Sequence, residues 1–495
     1  MKKYLIFDLG SSNCRAIVAK YDGNKFNTKI IHKFENGPVC VTGVLYWDIL
    51  RLYNEIKKAI FIAVKKYKRI ESIAIDSWGV DFSFISKEGY LISNPIHYRD
   101  KLRAKASEIA HKDFSRKELY EITGGFIIDI ISIYNFYNFK YNRSSEFKIA
   151  DKFLMISDLL NYFLTGSKIN EFTNITTTVI YNQKDKKLSS KILNKLGVSE
   201  KLFPDIIQPG NRIGELQKSV RNELGIDNIP VVVPATHDTA SAVAGIPVVE
   251  QRENWAFASM GTWVIQGVET KKPIINKGAF NAGYGNEGGC ENRNLFVKNI
   301  NGLWIIQQCM EKWRKEKGNS FSWNDIDMIY PKARPFYALI DVDDKSFIAP
   351  SSDMPNTIAD YCKEKGQNIP LGIAKVSRCF YESLTLKIMY NIKQIEKIIG
   401  KQIEIMYLVG GGIKNKLICQ WISDALNIPV MAGPVETTAV GNLLMQLKGD
   451  NEISNLDEGR RISRDSSIVT LYNPKEPDSW RNIYEYYLKI IINNK

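Results

Sequence analysis

His237-Asp238-Thr239 is where this sequence concentrates chemistry. The triplet follows the Val-rich run Pro230-Val231-Val232-Val233 and opens the small-residue stretch Thr239 to Gly245. A carboxylate at such a partly dry strand end can take a proton from a substrate hydroxyl as that oxygen attacks phosphorus. Asp238 suits a helix N-cap equally, and the two roles are compatible. His237 beside it can hydrogen-bond a sugar hydroxyl or stand as a satisfied structural group. Near the chain start, Asp8-Leu9-Gly10-Ser11-Ser12 has the parts of a phosphate loop. Glycine lets backbone approach an anion, hydroxyls and amides donate to phosphate oxygens, and the acid can hold a hydrated magnesium. The same residue types also make ordinary hairpin turns.

A second turn of this kind, Ser259-Met260-Gly261-Thr262, suggests two loops clamping one polyphosphate. Gly410-Gly411-Gly412, between an expected strand and an expected helix, offers bare backbone to a base, ribose or phosphate at the helix's positive end. Three glycines also simply turn the chain. No GxxxxGK[ST] occurs, so a P-loop enzyme is excluded. Trp78, Gly79 and Asp81, extended by His97, Tyr98 and Arg99, could form a sugar pocket in which an aromatic face meets C–H groups and carboxylates accept from hydroxyls. Trp78 fits a core position as well.

The elements that must carry these residues can be read from their periodicity. Tyr4 to Phe7, the turn at residues 8–13 and the alternating stretch to Lys20 predict a hairpin, and Trp255 to Val268 predicts another. A strand, Gly-Ser/Thr turn and strand at the head of each half suggests two similar halves with a boundary near Gly245 to Arg252. Ser72 to Asp76 and Val80 to Ser86 read as strands, and Lys152 to Leu164 as a helix stopped at Gly166. Ile403 to Val409 reads as a strand, Asn415 to Leu426 as a helix and Ile428 to Met431 as the next strand. Strands alternating with helices predict an α/β protein. Ile229 to Val249 has the length of a membrane span, but its three prolines and its central His237 and Asp238 make it a buried strand, turn and short helix instead.

At 495 residues the chain exceeds one small module, and 44% hydrophobic with 24% charged residues describes a globular chain with a sizeable core. The surplus of 67 Lys+Arg over 54 Asp+Glu gives +13, which raises nucleic acid or anionic lipid as partners. The lysines are dispersed, however, and the densest run, Lys65, Lys66, Lys68 and Arg69, sits on an expected helix and is followed by Glu71. A solvated surface and an anionic small substrate fit better, and neither nucleic acid nor membrane is expected as a partner. Seven cysteines without a CxxC pair match neither a zinc site nor a secreted disulfide framework. Cys362 and Cys379 are the pair to examine for a bridge. Only four apolar residues precede Asp8, too few for a signal-peptide core, so a cytoplasmic location is expected.

Taken in order, Asp8-Leu9-Gly10-Ser11-Ser12, the Ser72 to Asp81 stretch, Leu164-Thr165-Gly166 with Glu171 and Thr173-Asn174, Pro209-Gly210 with Ile213-Gly214, His237-Asp238-Thr239, Gly261-Thr262, Arg378 with Glu382-Ser383-Leu384, and Gly410-Gly411-Gly412 with Asn415 resemble the FGGY carbohydrate kinases over nearly the whole chain. Within that family, Trp78-Gly79-Val80-Asp81, Tyr98-Arg99-Asp100, the run from His237 to Val243, Lys298-Asn299-Ile300 with Gly302-Leu303-Trp304 and Gln307, and Ala432-Gly433-Pro434-Val435-Glu436 are similar to the kinases of L-rhamnulose. The resemblance implies two actin-like, ribonuclease-H-like lobes, a sugar-binding one over residues 1–245 and a nucleotide-binding one over residues 246–495, with the active site in the cleft between them. It implies magnesium-dependent transfer of the ATP γ-phosphate to the 1-hydroxyl of L-rhamnulose, by a monomer or homodimer. L-Fuculose or another deoxyketose is the alternative substrate, and an ATPase of actin type without a sugar is a remote one. By the resemblance Asp238 is the general base, and Gly79, His237, Asp238, Thr239 and Asn299 contact the sugar. Ser11, Ser12, Asn13, Cys14 and Arg15 face the ATP phosphates, Thr262, Gln307 and Gly411 also hold the nucleotide, and Asp8 holds hydrated magnesium. Two departures stand out: Cys14 occupies a position where a glycine before the arginine is usual, and Arg103 follows Asp100 by three residues rather than two.

Overall fold

Tyr4, Leu5, Ile6 and Phe7 are apolar in succession, the signature of a strand covered on both faces, and they lie fully buried in strand Lys2–Leu9 of a computed structural model. The structure describes residues 1–248, 254–318 and 320–492. The strand pairs antiparallel with Asn13–Tyr21 across the expected turn, and parallel with Ser72–Ser77 on its other side. Pro230–Val233 adds in parallel to Ser72–Ser77, and the edges are Phe26–Glu35 and Asn211–Glu215, giving a six-stranded mixed sheet. Helix Ile49–Tyr67 covers one face, burying Ile49, Leu52, Ile56, Ala59, Ile60 and Ala63 at helical spacing with Leu5, Phe7, Ile73, Ile75 and Val231 in the same core. Each such Ile or Leu contributes about 1.5–3 kcal/mol by leaving water. Lys65 and Lys66 close that helix as exposed residues, and Arg69 pairs with Glu71, so the densest basic run is solvated surface.

This sheet belongs to a unit of residues Met1–Glu250, Glu269–Val297 and Thr437–Ser467. In it, helices Asp238–Gly245 and Thr437–Gly449 cross with their backbones nearly touching. A Cβ on Gly441 would stand 1.8 Å from the Ser241 carbonyl oxygen, and one on Gly245 would stand 2.3 Å from that of Thr437. Only glycine permits this approach.

The second unit comprises Gln251–Val268, Lys298–Glu436 and Ile468–Lys495. Its hairpin, Trp255–Met260 with Trp263–Thr270, repeats the opening motif of the first unit: the leading strand again pairs in parallel with a later strand, Ile405–Val409. Val430–Ala432 follows in parallel and Thr470–Tyr472 antiparallel. The expected boundary near Gly245 to Arg252 runs into residues 249–253, outside the described ones.

Several expected elements differ in extent. Lys152–Met155 is a strand paired antiparallel with Phe82–Ile85, and the helix begins only at Ile156, ending at Gly166 in a left-handed cap. The reason is aromatic packing: Phe153 lies 4.6 Å from Phe82 and 5.3 Å from Phe136, ring to ring, in a core that a helical Phe153 would leave unfilled. Val80 stays out of its expected strand because it adopts φ 65°. The helix expected from Asn415 begins at Lys416 with Asn415 as its cap, and the strand expected at Ile428 begins at Val430. Cys362 and Cys379 are free buried thiols. Among the described residues no helix is long and apolar enough to cross a membrane.

Candidate active site

The parallel strands of the first unit end side by side, and the residues at their carboxyl ends form the site. Asp8 and Asp76 are register partners on neighbouring strands. The next strand leads to His237, bridged to Ser77, and then to Asp238, the first residue of helix Asp238–Gly245. Asp238 is therefore not the N-cap: His237 holds that position without a side-chain bond, and Asp238 Oδ1 accepts from the Thr239 N–H at 2.6 Å and hydroxyl at 3.3 Å. Its side chain is 36% accessible. Burial pushes its pKa up to about 6, against the two Thr239 bonds, which lower it.

The approach to Asp238 is fixed by a buried carboxylate. Glu171 caps helix Phe172–Ile175 and accepts from the Thr236 N–H at 3.0 Å and hydroxyl at 2.8 Å, while the His237 N–H donates to Thr173 Oγ1 at 3.2 Å. The His237 ring lies with Nε2 3.5 Å from Asp238 Oδ1 and Nδ1 3.4 Å from Glu287 Oε2. Burial holds the imidazole below its ordinary pKa, against the pull of Glu287.

Asp8 pairs with Arg15 across the hairpin. Asp76 Oδ2 accepts from Asn442 Nδ2 at 2.6 Å, and its Oδ1 is buried without a partner. Burial first, and the nearby Asp8 carboxylate second, hold Asp76 well above the ordinary carboxylate range. An orphaned buried oxygen beside a second carboxylate suits a hard cation. Among the described residues no three His, Cys, Asp or Glu side chains form a cage, but magnesium keeps most of its waters and needs only one or two carboxylates.

In the loop between these strands Gly10 donates to the Asn13 carbonyl at 3.1 Å, and Asn36 braces Gly10 and Ser12 from the side. Ser12 and Asn13 are exposed and Ser11 is half-buried. Cys14 turns its thiol into the core, 1% exposed, where burial raises it to about 12. Its position in the paired strand needs no glycine.

The proposed sugar cluster divides. Gly79 sits under Thr177, where a Cβ would meet the Thr177 side chain at 3.0 Å, and its carbonyl accepts from Asp81. Trp78 and Asp81 are core residues and not a sugar-facing pair: Asp81 is fully buried, with Oδ2 taken by Trp47 at 2.6 Å and Trp78 at 3.0 Å and Oδ1 by Arg103 at 2.6 Å. The displaced Arg103 thus serves as the buried counter-ion of Asp81. His97 is sandwiched between Trp47 and Tyr98, its Nδ1 accepting from the Arg99 N–H at 3.0 Å. Asn299 lies half-buried on strand Asn294–Asn301, in the part belonging to the second unit.

Within the second unit the nucleotide candidates are gathered. The Thr262 carbonyl accepts from the Gly302 and Trp304 N–H groups, and the Thr262 hydroxyl lies 3.4 Å from Gln307 Oε1 on the helix that follows. Gly410 and Gly412 pack against Met260, and Gly410 has φ 84°. A Cβ on Gly411 would meet nothing within 4 Å, so its backbone faces open space. The glycines lead into a 3-10 turn, Gly411–Lys414, rather than directly into the helix, whose first donors Leu417 and Ile418 are already taken by Asn415. The helix end therefore offers less to an anion than the glycine run suggests.

Sequence reasoning missed Asn442 and Glu287, and Asp76 stood in a recognised stretch without a role. Glu171 stood in a recognised motif without a role.

Comparison with known proteins agrees with this arrangement. Residues 3–245 match the N-terminal domain and residues 256–449 the C-terminal domain of the FGGY family of carbohydrate kinases. The rhamnulokinase of Bacteroides thetaiotaomicron is 33% identical, covering 98% of this chain and 99% of its own. That of Oceanobacillus iheyensis is 35% identical, over 94% and 97%. A xylulose kinase structure from Lactobacillus acidophilus, at 15% identity, superposes with a TM-score of 0.81 over 99% of this chain and 98% of that one, which shows the fold. With its two sheet-containing α/β units, its paired hairpin turns and its Asp238 site, the chain belongs to the FGGY family of carbohydrate kinases.

Proposed function

We propose that this protein transfers the γ-phosphate of ATP to the 1-hydroxyl of L-rhamnulose, giving L-rhamnulose 1-phosphate and ADP. The observation that carries the reading is Asp238: a carboxylate at a strand end, its pKa raised to about 6, with His237 beside it and Asp8 and Asp76 at the adjoining strand ends. The full-length similarity to rhamnulokinases supports the choice of ketose. Asp238 accepts the proton as the O–H bond breaks, the sugar oxygen forms its bond to phosphorus, and the β–γ bridging oxygen leaves with ADP. Gly79, His237, Thr239 and Asn299 orient the sugar. The Ser11 to Arg15 loop faces the phosphates, and Thr262, Gln307 and Gly411 hold the nucleotide. Asp8 would hold hydrated magnesium, which when bound offsets phosphate charge. In this reading the unit built on residues 1–245 is the sugar lobe, and the unit that holds Thr262, Gln307 and Gly411, within residues 246–495, is the nucleotide lobe of a cytoplasmic enzyme.

The test is ADP release with L-rhamnulose, L-fuculose, L-ribulose and D-xylulose in parallel. The highest kcat/KM belongs to L-rhamnulose; a higher value for another ketose reassigns the substrate, and ATP hydrolysis indifferent to sugar removes the kinase reading.

A further inference from the structure

Of the buried acids that the mechanism leaves unused, one stands beside the site. Glu287 lies on strand Gly285–Gly288, inside the same unit as Asp238, with its side chain 12% accessible. Both flanks of the strand are pinned: the Gly288 N–H donates to Thr176 Oγ1 at 2.8 Å, and the Asn286 side chain donates to the Gly124 and Ile274 carbonyls. Glu287 Oε2 stands 3.4 Å from His237 Nδ1, a nitrogen sealed from solvent that makes no hydrogen bond in this structure. Nε2 of the same ring stands 3.5 Å from Asp238 Oδ1. Glu287, His237 and Asp238 thus form a row, carboxylate, imidazole, carboxylate, ending on the residue that takes the proton.

A neutral imidazole carries one proton, and the row decides where it sits. Asp238 Oδ1 already accepts from the Thr239 N–H and hydroxyl. A third donor, Nε2–H, would hold Asp238 as a weakly basic anion. With the proton on Nδ1, facing Glu287, Nε2 keeps its lone pair and can receive a hydrogen bond from Asp238 once Asp238 is protonated. The other charged groups near the row are Asp76 on the adjoining strand, Asp8 and Arg15 beyond it, and Glu171, which is turned toward Thr173 and Thr236.

We propose that Glu287 is a positioning residue that fixes the His237 proton on Nδ1, leaving Nε2 to accept a hydrogen bond from Asp238 after Asp238 has taken the proton of the sugar hydroxyl. The inference rests on the reading of Asp238 as the general base. No bond to Glu287 forms or breaks; the proton moves from sugar oxygen to Asp238 and leaves to solvent with product release.

The test is ring ¹⁵N NMR of the full chain, which has four histidines, with the His237 signal identified by its loss in His237→Gln. The wild type shows His237 neutral with Nδ1 protonated. Glu287→Ala moves the proton to Nε2 and lowers kcat roughly 10- to 100-fold, a part of the ~10²–10⁴-fold that general-base catalysis supplies, with KM for ATP unchanged. Glu287→Gln, whose amide oxygen can accept from the same N–H, restores the Nδ1 tautomer and most of kcat. A wild-type His237 protonated on Nε2 overturns the proposal and needs no variant to fold. An unchanged tautomer in Glu287→Ala, or a Glu287→Gln enzyme no better than Glu287→Ala, overturns it too. Full turnover in Asp238→Asn would remove the base assignment while leaving the tautomer result standing, so the two failures are separable.

Discussion

At the scale of single residues, Asp238 carries a cost in stability that its chemistry explains. Burial raises its folded pKa to about 6, above the ordinary value of 3.8. A group raised in this way favours the folded state fully only below its unfolded pKa, and that contribution is lost as pH rises through the folded pKa. Two consequences point in opposite directions. Asp238→Asn removes a charge that the fold disfavours, so its Tm exceeds that of the wild type at pH 8 and the difference vanishes below about pH 4 in thermal melts. As the proposed base Asp238 must be ionised, so kcat/KM falls about tenfold per pH unit below an apparent pKa near 6, read from a pH–kcat/KM profile. A Tm lowered by the substitution at pH 8 would mean that the Asp238 charge is satisfied in the fold.

Among elements, the tightest constraint is the crossing of helices Asp238–Gly245 and Thr437–Gly449. The first begins with the proposed base, and the second carries Asn442, which holds Asp76. A methyl group on Gly441 has no room, since its Cβ would stand 1.8 Å from the Ser241 carbonyl oxygen. Gly441→Ala forces the helices apart and costs about 1–3 kcal/mol or more, measured by urea unfolding, with a fall in kcat because Asp238 and Asn442, the partner of Asp76, move with their helices. Gly411→Ala, which meets nothing within 4 Å, leaves unfolding unchanged and isolates any effect on nucleotide binding. The hairpins were legible in the sequence because an apolar run, a Gly-Ser turn and an alternating return strand are local signals. Strand Lys152–Met155 was not, because Phe153-Leu154-Met155 runs straight into a helical apolar rhythm and only its pairing with Phe82–Ile85 separates them. Helix Asp238–Gly245 was expected from its small residues, yet its cap fell on His237, one residue earlier than the side-chain preference of Asp suggests.

For the whole molecule, what sequence reading could not reach is what folding brings together from afar. Asp8, Asp76 and Asp238 meet because three parallel strands end at one level. Glu287 arrives on strand Gly285–Gly288, which pairs antiparallel with Asn294–Asn301. Asn442 comes from a helix 366 residues beyond the Asp76 it binds. Trp78 and Asp81 show the opposite error, since residue types suited to sugar proved to be a sealed core network with Trp47 and Arg103. The +13 charge resolves in its densest stretch into exposed lysines beside an Arg69–Glu71 pair. Because the Thr262, Gln307 and Gly411 set lies within the second unit, ADP raises the melting temperature by binding the folded chain, about 2.7 kcal/mol at 100 times Kd. Gln307→Ala leaves the ligand-free Tm in place and shrinks that shift, whereas an undiminished shift would move the nucleotide elsewhere. The account as a whole stands on Asp238 taking the proton of the sugar hydroxyl. The measurement that tests it most directly is L-rhamnulose-dependent ADP release by Asp238→Asn at pH 8, with ADP binding verified by the thermal shift. The expected result is kcat lowered by roughly 10²–10⁴-fold or more with nucleotide binding intact, and a variant that turns over within a few-fold of the wild type would contradict it.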